Sequence, residues 1–474
     1  MISWSFLTYL SEWIIRLVML YVVPRKRNPT TAIAWLLIIF FVPWIGLFLF
    51  LIAGTRGLPR RRVERYRLMI SEFNQITQEF CSQANIVEPQ LDPEAMSAVR
   101  LAERLGQFPI LGGNRVELIT DTDEMVNRLI ADIDTAQSHV HMLYYIFAAD
   151  ETGRRVIEAL RRASERGAKC RLLVDAVGSR SFLRGLGSEL PKMGIEVVPA
   201  LPVGVFRGKM ARIDVRNHRK IVVIDGRIAY TGSQNIINAD YGRRGLAWHD
   251  LTARVLGPTV LALQSVFLCD WYFETEQTLT DAEIFPRTPP AGNTPIQVLP
   301  SGPIYPVENY HRMVLAALHT ARRQVIITTP YFVPDESFLQ AVQVAVLRGV
   351  NVVLIAPAVC DKVLVGAAAR SYFGDLLQLG AEVYLYHPGL LHSKTMTIDD
   401  SFAFVGTGNF DIRSFSLTFE LNLLLYGTEV TETLRVVQRQ YLARSTRLTL
   451  EEWENRPEWA KTLDGIAKLL SPVL

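Results

Sequence analysis

Two stretches of the chain place a histidine and a lysine two residues apart at the start of an apolar run. They are NHRKIVVIDGRIAYTGSQN, residues 217–235, and LHSKTMTIDDSFAFVGTGN, residues 391–409. The first holds His218, Lys220, Asp225, Gly232, Ser233 and Asn235; the second holds His392, Lys394, Asp399, Gly406, Thr407 and Asn409. Every interval matches, so H-x-K-x4-D-x6-G-[ST]-x-N occurs twice. Residues i and i+2 of a strand share a face, so each histidine projects beside its lysine. One copy would read as a hairpin with a basic edge; two copies in register ask for a chemical explanation.

Two imidazoles and two ammonium groups facing one another suit phosphoryl-type transfer. A neutral histidine can attack phosphorus and form a covalent intermediate. A protonated one can give its proton to the leaving alkoxide. The lysines, with Ser233, Asn235, Thr407 and Asn409, can hold phosphate oxygens as charge builds. The histidines also need orienting carboxylates, and an acid in an apolar strand is otherwise costly. Asp250 in WHDL, 32 residues after His218, and Glu420 in FELNLLLY, 28 after His392, are the candidates. Asp225-Gly226 is a strong hairpin-turn signal, with Asp399-Asp400 in the same place in the second copy, so these aspartates have a structural role to play as well. Nothing here demands a metal ion or a cofactor.

The elements that must position these groups repeat too. VHMLYYIF (Val140 to Phe147) reads as a strand, and Thr152 to Asp175 as a helix followed by a strand. Gln324 to Pro334 and Glu336 to Pro357 repeat that plan, and His218 and His392 lie 174 positions apart. Strands alternating with helices argue for α/β units. The chain divides into a membrane region at 1–67, a linker at 68–110, and domains at 111–285 and 286–474, with the Pro- and Thr-rich stretch 279–294 as the junction. Two α/β domains meeting at one site explain the duplication. Tyr144, Tyr145 and Tyr331 read as core or as lining of a substrate groove. His139, His141, His311, His319 and His387 read as packing or surface residues; His249 adjoins Asp250 and stays open. The run from Leu434 to Leu474 reads as helical, against the second domain or the membrane.

Hydrophobic residues make up 49% of the 474 and charged residues 20%, so membrane segments are expected. Thr30 to Gly54 is 25 residues without a charge, and about 20 suffice to cross a bilayer. Trp4 to Val23 is a second apolar run containing Glu12 and Arg16, four apart. Basic residues flank the long run: PRKRNP before it, and Arg56, Arg60, Arg61, Arg62, Arg65 and Arg67 after it. The favoured reading is a hairpin of two spans with the Arg cluster and catalytic domains in the cytoplasm. The other is a run that bends at Pro43 and Gly46 and re-enters the same side. The Arg cluster also suits anionic lipid headgroups. A net charge of +3 argues against nucleic acid as a partner. The four cysteines are too scattered for a disulfide framework or zinc site. Nothing in the sequence sets the oligomeric state.

The paired motifs resemble those of the phospholipase D superfamily. LYYIFAADETGRRVIEAL, LLVDAVGS, GPTVLALQSVFLCDWYF, TPYFVPDE and HPGLLHSKTMTID resemble its bacterial cardiolipin synthases, and AWLLIIFFVPWIGLFLFLIAG is similar to their N-terminal membrane segment. The resemblance covers nearly the whole chain. It implies an α/β fold of two tandem phospholipase D-like sandwich domains forming a pseudo-dimer, one shared site, and an N-terminal transmembrane region. It implies a multi-pass protein of the bacterial inner membrane that joins two phosphatidylglycerols into cardiolipin and glycerol. His218 is then the nucleophile and His392 the acid/base, with Asp250 and Glu420 orienting them. Ala149-Asp150 stands where the family leads one to expect an acidic pair, and Thr407 replaces a serine but keeps the hydroxyl. A phospholipase D-type hydrolase or head-group exchanger releasing phosphatidic acid is the alternative, because the same motifs serve when water resolves the intermediate.

Overall fold

Ile221 to Ile224 are all buried, yet their side chains alternate between two different cores. Ile221 and Val223 face one apolar layer, Val222 and Ile224 the opposite one. In the second repeat Val352, Leu354 and Ala356 face one layer and Val353 and Ile355 the other. Such continuously apolar strands belong to a sheet covered on both faces. The computed structural model describes residues 4–26, 29–51, 58, 62–66, 68–69, 86–203, 214–242, 245–279, 282–305 and 307–469. It is a mixed α/β protein built on a 15-stranded sheet.

Two strands meet at the centre of that sheet, Leu111–Ile119 and Thr294–Ser301, paired antiparallel with Leu111 opposite Ile296. Outward from the first come Thr252–Leu256, Ile228–Gly232, Ile221–Ile224, His139–Tyr144, Lys169–Asp175 and Ile195–Ala200. Outward from the second come Glu420–Tyr426, Phe402–Gly406, Thr395–Ile398, Gln324–Thr328, Asn351–Pro357, Glu382–Tyr386 and a last strand, Ser445–Leu448. Strands of like rank stand at like places on either side of the centre. Helices Thr259–Thr275 and Thr428–Leu442 cover one face, burying Phe267, Trp271, Leu434 and Tyr441 in a layer that runs under both repeats. Helices Thr122–Asp134, Glu151–Glu165, Asn309–Thr320, Glu336–Leu347 and Ile412–Ser416 are among those that pack into the cores of the opposite face. Asp121, Asp150, Asp335 and Asp411 begin four of them by accepting a hydrogen bond from the backbone N–H three residues on.

The stretch expected to be a linker is structured where it is described. Pro93–Gly106 is a helix whose Ala98, Val99 and Ala102 pack into the core of the second repeat. Asn309 fixes its end by donating to Leu105 O at 2.7 Å. Small residues three and four apart let this helix lie close.

The N-terminal region holds one helix of spanning length and a second apolar run that is broken. Helix α1, Trp4–Val22, is the one described helix long and apolar enough to cross a membrane. Its 19 residues span about 28 Å at the α-helical rise. The uncharged run is broken: α2 covers Pro29–Phe41 and α3 Pro43–Leu49, with Val42 outside the helical region between them (φ −136°, ψ 76°). Proline disfavours a helical conformation in the residue before it, so the break falls where the sequence places Pro43. Beyond it α3 folds back: a Cβ on Gly46 would lie 2.6 Å from the Ile39 Cα. Neither piece reaches the ~30 Å of a bilayer core. Arg16, anchored to Glu12 at 3.3 Å, donates Nε to Phe40 O at 3.2 Å and so satisfies a carbonyl orphaned by the break. Arg56, Arg60, Arg61, Arg67 and Gly54 lie outside the described residues.

Candidate active site

Each H-x-K segment lies along a segment of the other repeat. Asn217 bridges Phe419 in parallel, and His218 N donates to Phe419 O at 2.9 Å. Leu390–Leu391 pair in parallel with Trp248–His249, and His392 N donates to His249 O at 2.8 Å. The next residue after each accepting carbonyl is a carboxylate, Glu420 in one case and Asp250 in the other. The pairing is therefore exchanged. His218 Nδ1 bonds Glu420 at 3.0 and 3.1 Å, and His392 Nδ1 bonds Asp250 at 2.7 Å. Each acid, which sequence order sets after the histidine of its own copy, serves the histidine of the other. A carboxylate on Nδ1 keeps the proton there and leaves Nε2 with the lone pair.

The hydroxyls of the motifs do a different task from the expected one. Ser233 Oγ donates to Asp250 at 2.6 Å, and Thr407 Oγ1 donates to Glu420 at 2.6 Å. In return Leu251 N and Leu421 N donate to these hydroxyl oxygens at 2.8 and 2.9 Å. A hydroxyl has one proton to give, so Ser233 and Thr407 hold carboxylates rather than phosphate. Glu420 also accepts from Ser414 Oγ at 2.9 Å and Thr418 Oγ1 at 2.8 Å, two residues that sequence reasoning missed. Asn235 Oδ1 accepts from Ile146 N at 3.1 Å. Asn409 Oδ1 is buried and has no hydrogen-bond partner among the described residues.

Asp225 and Asp399 are not at the reacting centre, which corrects their place among the catalytic residues. They sit at the hairpin turns with φ of 51° and 46°, five residues along the strand from the lysines, roughly 16 Å. Asp225 accepts from the backbone N–H of Gln137, Ser138 and His139, each at 2.8 Å. Asp399 accepts from Arg322, Arg323 and Gln324 at 2.7 to 3.0 Å. Each clamps the start of the neighbouring strand and so fixes the sheet beneath the motif. Asp150 starts a helix and accepts from Asn238 N at 2.8 Å, which ties that helix to the loop after the first motif.

Lys220 and Lys394 are buried, and each Nζ donates to the carbonyl of its own histidine. Burial lowers the Lys220 ammonium to about 8, against the pull of Glu420 and Asp250. It drives Lys394 well below the usual lysine range. Burial lowers His218 to about 4, with Glu420 opposing, and lowers His392 to about 3, with Lys394 adding to the effect. Burial pushes Asp250 and Glu420 up, but the histidines and lysines beside them outweigh it, and both stay ionised. The ligand-free site thus holds neutral imidazoles on charged carboxylates. An anion arriving between the lysines favours both the ammonium and imidazolium forms.

Aromatic rings wall the site. Tyr145 stands edge-on to His218 at 5.0 Å and takes Lys220 on its ring face at 5.6 Å. Trp248 stands edge-on to His392 at 4.7 Å, with Tyr241 stacked on it at 4.1 Å. Trp248 precedes Asp250 by two, the strand spacing that puts both on one face, and that signal could have found it. Tyr331 is held by Asp361 at 2.7 Å, and Tyr144 is core. Four of the remaining histidines have side-chain partners away from the site: Gln264 for His139 and His141, Asp335 for His311, Thr446 for His387. His249 contributes the carbonyl that receives His392 N.

Comparison with known proteins places the chain in a family. The family model described as "Cardiolipin synthase, PLD-like domain" matches residues 129–244 and 314–441, one around each motif. "Phospholipase_D-nuclease N-terminal" matches residues 13–54. The chain is 37% identical over 482 residues to cardiolipin synthase A of Pectobacterium carotovorum subsp. carotovorum, covering 100% of this chain and 99% of that one. It is 38% identical over 485 residues to cardiolipin synthase A of Yersinia pseudotuberculosis, with the same coverage. Among solved structures, phosphatidylserine synthase of Haemophilus influenzae superposes with a TM-score of 0.61 at 15% identity, over 80% of this chain and 100% of that one, a likeness of fold. The chain belongs to the cardiolipin synthase family of the phospholipase D superfamily.

Proposed function

We propose that the protein is a membrane-bound cardiolipin synthase that transfers a phosphatidyl group between two phosphatidylglycerols through a phosphohistidine. The observation that carries this reading is the exchange of carboxylates: two imidazoles, each held through Nδ1 by an acid of the opposite repeat. The repeats then work as a pseudo-dimer with one shared site. Relatives named cardiolipin synthase A support the choice of lipid reaction.

His218 is the nucleophile, supported by its side-chain exposure of 15% against 5% for His392. Its Nε2 attacks the phosphorus of one phosphatidylglycerol while the P–O bond to the head-group glycerol breaks. His392, protonated once the phosphodiester anion is bound, gives its proton to that oxygen, and glycerol leaves. His392, now neutral, takes the proton from a hydroxyl of the second phosphatidylglycerol, whose oxygen attacks phosphorus. The P–N bond breaks, cardiolipin forms and His218 is restored. Lys220 and Lys394 offset the charge on the phosphoryl oxygens in both transition states, and Asn409 offers a further polar contact. The ring walls of Tyr145 and Trp248 limit water, which would otherwise resolve the intermediate as phosphatidic acid.

In the membrane, α1 crosses and α2–α3 enters and returns to the side it came from, so both basic clusters lie on the cytoplasmic face with the catalytic body. Trapping tests the chemistry. His392→Ala, mixed with a phosphatidyl nitrophenyl ester, whose leaving group departs without a proton, and quenched in denaturant at neutral pH, is expected to carry one phosphatidyl mass on the peptide containing His218. An adduct on any other residue would overturn the assignment.

A further inference from the structure

The two histidine arms are alike at the carboxylates and unlike behind them. The residue between histidine and lysine is Arg219 in the first motif and Ser393 in the second. Arg219 is wholly buried. It grips Asp270 with Nη1 at 2.7 and 2.8 Å, donates Nη2 to Ser301 O at 3.1 Å, and donates Nε to the backbone carbonyl of Glu420 at 3.1 Å. Its guanidinium also lies 5.4 Å from the ring centre of Phe419. Phe419 supplies the carbonyl that receives His218 N and is followed directly by Glu420. The first histidine arm therefore rests on Phe419 and Arg219. Ser393 bonds the Tyr441 hydroxyl and the His249 carbonyl and carries no charge to anchor its arm.

What lies behind Phe419 comes from the other end of the chain. Tyr66, 2% exposed, packs with Leu58, Leu201, Val215, Ile304 and Phe419 in one apolar cluster. Its ring meets Phe273 at 5.4 Å, and Phe273 meets Phe419 at 6.1 Å. Arg62 lies over Phe273 at 4.3 Å, pairs with the buried Glu274 and donates to Phe273 O. Arg62 and Tyr66 follow the uncharged membrane run by only eight and twelve residues after Gly54. Their sequence reading was a topology signal and a lipid contact, and neither needs a buried tyrosine or an arginine on a buried glutamate.

We propose that Arg62 and Tyr66 are positioning residues for the His218 step: docked on Phe273 and Phe419, the membrane-proximal segment holds Glu420, and through it His218, in register with His392. Membrane attachment and catalysis are then coupled through one arm of the site. The inference rests on the phosphatidyl-transfer reading only for the identity of the step. A mobile Glu420 leaves substrate binding intact and misplaces the nucleophile, and a misplacement of 1 Å can cost on the order of 100-fold in rate.

The test uses the full chain in phosphatidylglycerol vesicles, comparing the parent with Arg62→Ala, Tyr66→Ala and Tyr66→Phe. Phosphatidylglycerol consumption, products and vesicle flotation are all measured. The expected result is that kcat falls at least about tenfold in both alanine variants, with KM within about twofold and flotation unchanged. Tyr66→Phe keeps the ring and most of the rate. Unchanged kcat in Arg62→Ala, or a loss that tracks loss of flotation, would overturn the proposal, because the segment would then be a tether. Arg62→Ala decides alone if Tyr66→Ala does not fold. Consumption is scored apart from products, so a parent yielding phosphatidic acid would overturn the transfer reading while the variant-to-parent ratio still decides this one.

Discussion

Replacing Glu420 by glutamine keeps the shape of the side chain and removes one acceptor oxygen and the charge. Glu420 receives His218 Nδ1 and the hydroxyls of Thr407, Ser414 and Thr418 at 2.6 to 3.1 Å. Glutamine has one oxygen for these donors and an NH2 for the rest. The imidazolium formed when His218 bonds phosphorus loses a charge-assisted hydrogen bond, worth about 1.5–3 kcal/mol, or one to two decades in rate. If the NH2 turns to His218, it donates to Nδ1, moves the ring proton to Nε2 and removes the attacking lone pair. In serine-protease triads the corresponding tautomer error costs roughly 10⁴. The expected loss in kcat for Glu420→Gln is therefore about 10–10⁴-fold, the upper end if the NH2 faces His218. A phosphodiester with a nitrophenolate leaving group assigns the loss to a histidine, because nitrophenolate leaves without a proton. In the first step, measured as a burst, Asp250→Asn and His392→Ala are expected to be rescued with this substrate, and Glu420→Gln and His218→Ala are not. Rescue of Glu420→Gln with persistent failure of Asp250→Asn would refute the exchanged roles.

Lys220 loses its proton as pH rises through about 8 in the free enzyme, so kcat/KM is expected to fall on the alkaline side near that pH. Bound phosphodiester holds the ammonium charged, so the same limb in kcat lies higher; a profile flat to pH 10 would contradict it. Asp225→Ala frees three backbone donors and is expected to cost about 2–4 kcal/mol of stability, read as a lower midpoint in thermal unfolding, while the folded fraction keeps its kcat. Single cysteines at Asn28 and Ser71, in a background without the native four, are expected to be equally shielded from an impermeant thiol reagent added outside. Labelling of one alone would restore the two-span hairpin.

The parts of this site legible in the sequence were those set by local spacing. His218 and Lys220 announce themselves because a strand repeats every two residues, and the Asp225-Gly226 turn because both positions need positive φ, here 51° and 61°. The exchange of Glu420 and Asp250 was not legible. It depends on segments 202 and 142 residues apart lying side by side, and nothing in either segment names its partner. Ser233 and Thr407 read as phosphate ligands because a hydroxyl looks the same whether its proton goes to a phosphate or to a carboxylate. The break at Pro43 was visible as a possibility, but Arg16 looked only like half of an ion pair. That its Nε meets Phe40 O follows from packing between helices, which the sequence of α1 does not encode. Docking of Arg62 and Tyr66 is long-range in the same way.

The most direct measurement uses purified full-length protein in phosphatidylglycerol vesicles, with lipid products and glycerol followed together by mass spectrometry. Cardiolipin and glycerol released in equal amounts, and lost together in His218→Ala, is the expected result. Phosphatidic acid as the dominant product from the parent protein would contradict phosphatidyl transfer and make the site that of a hydrolase.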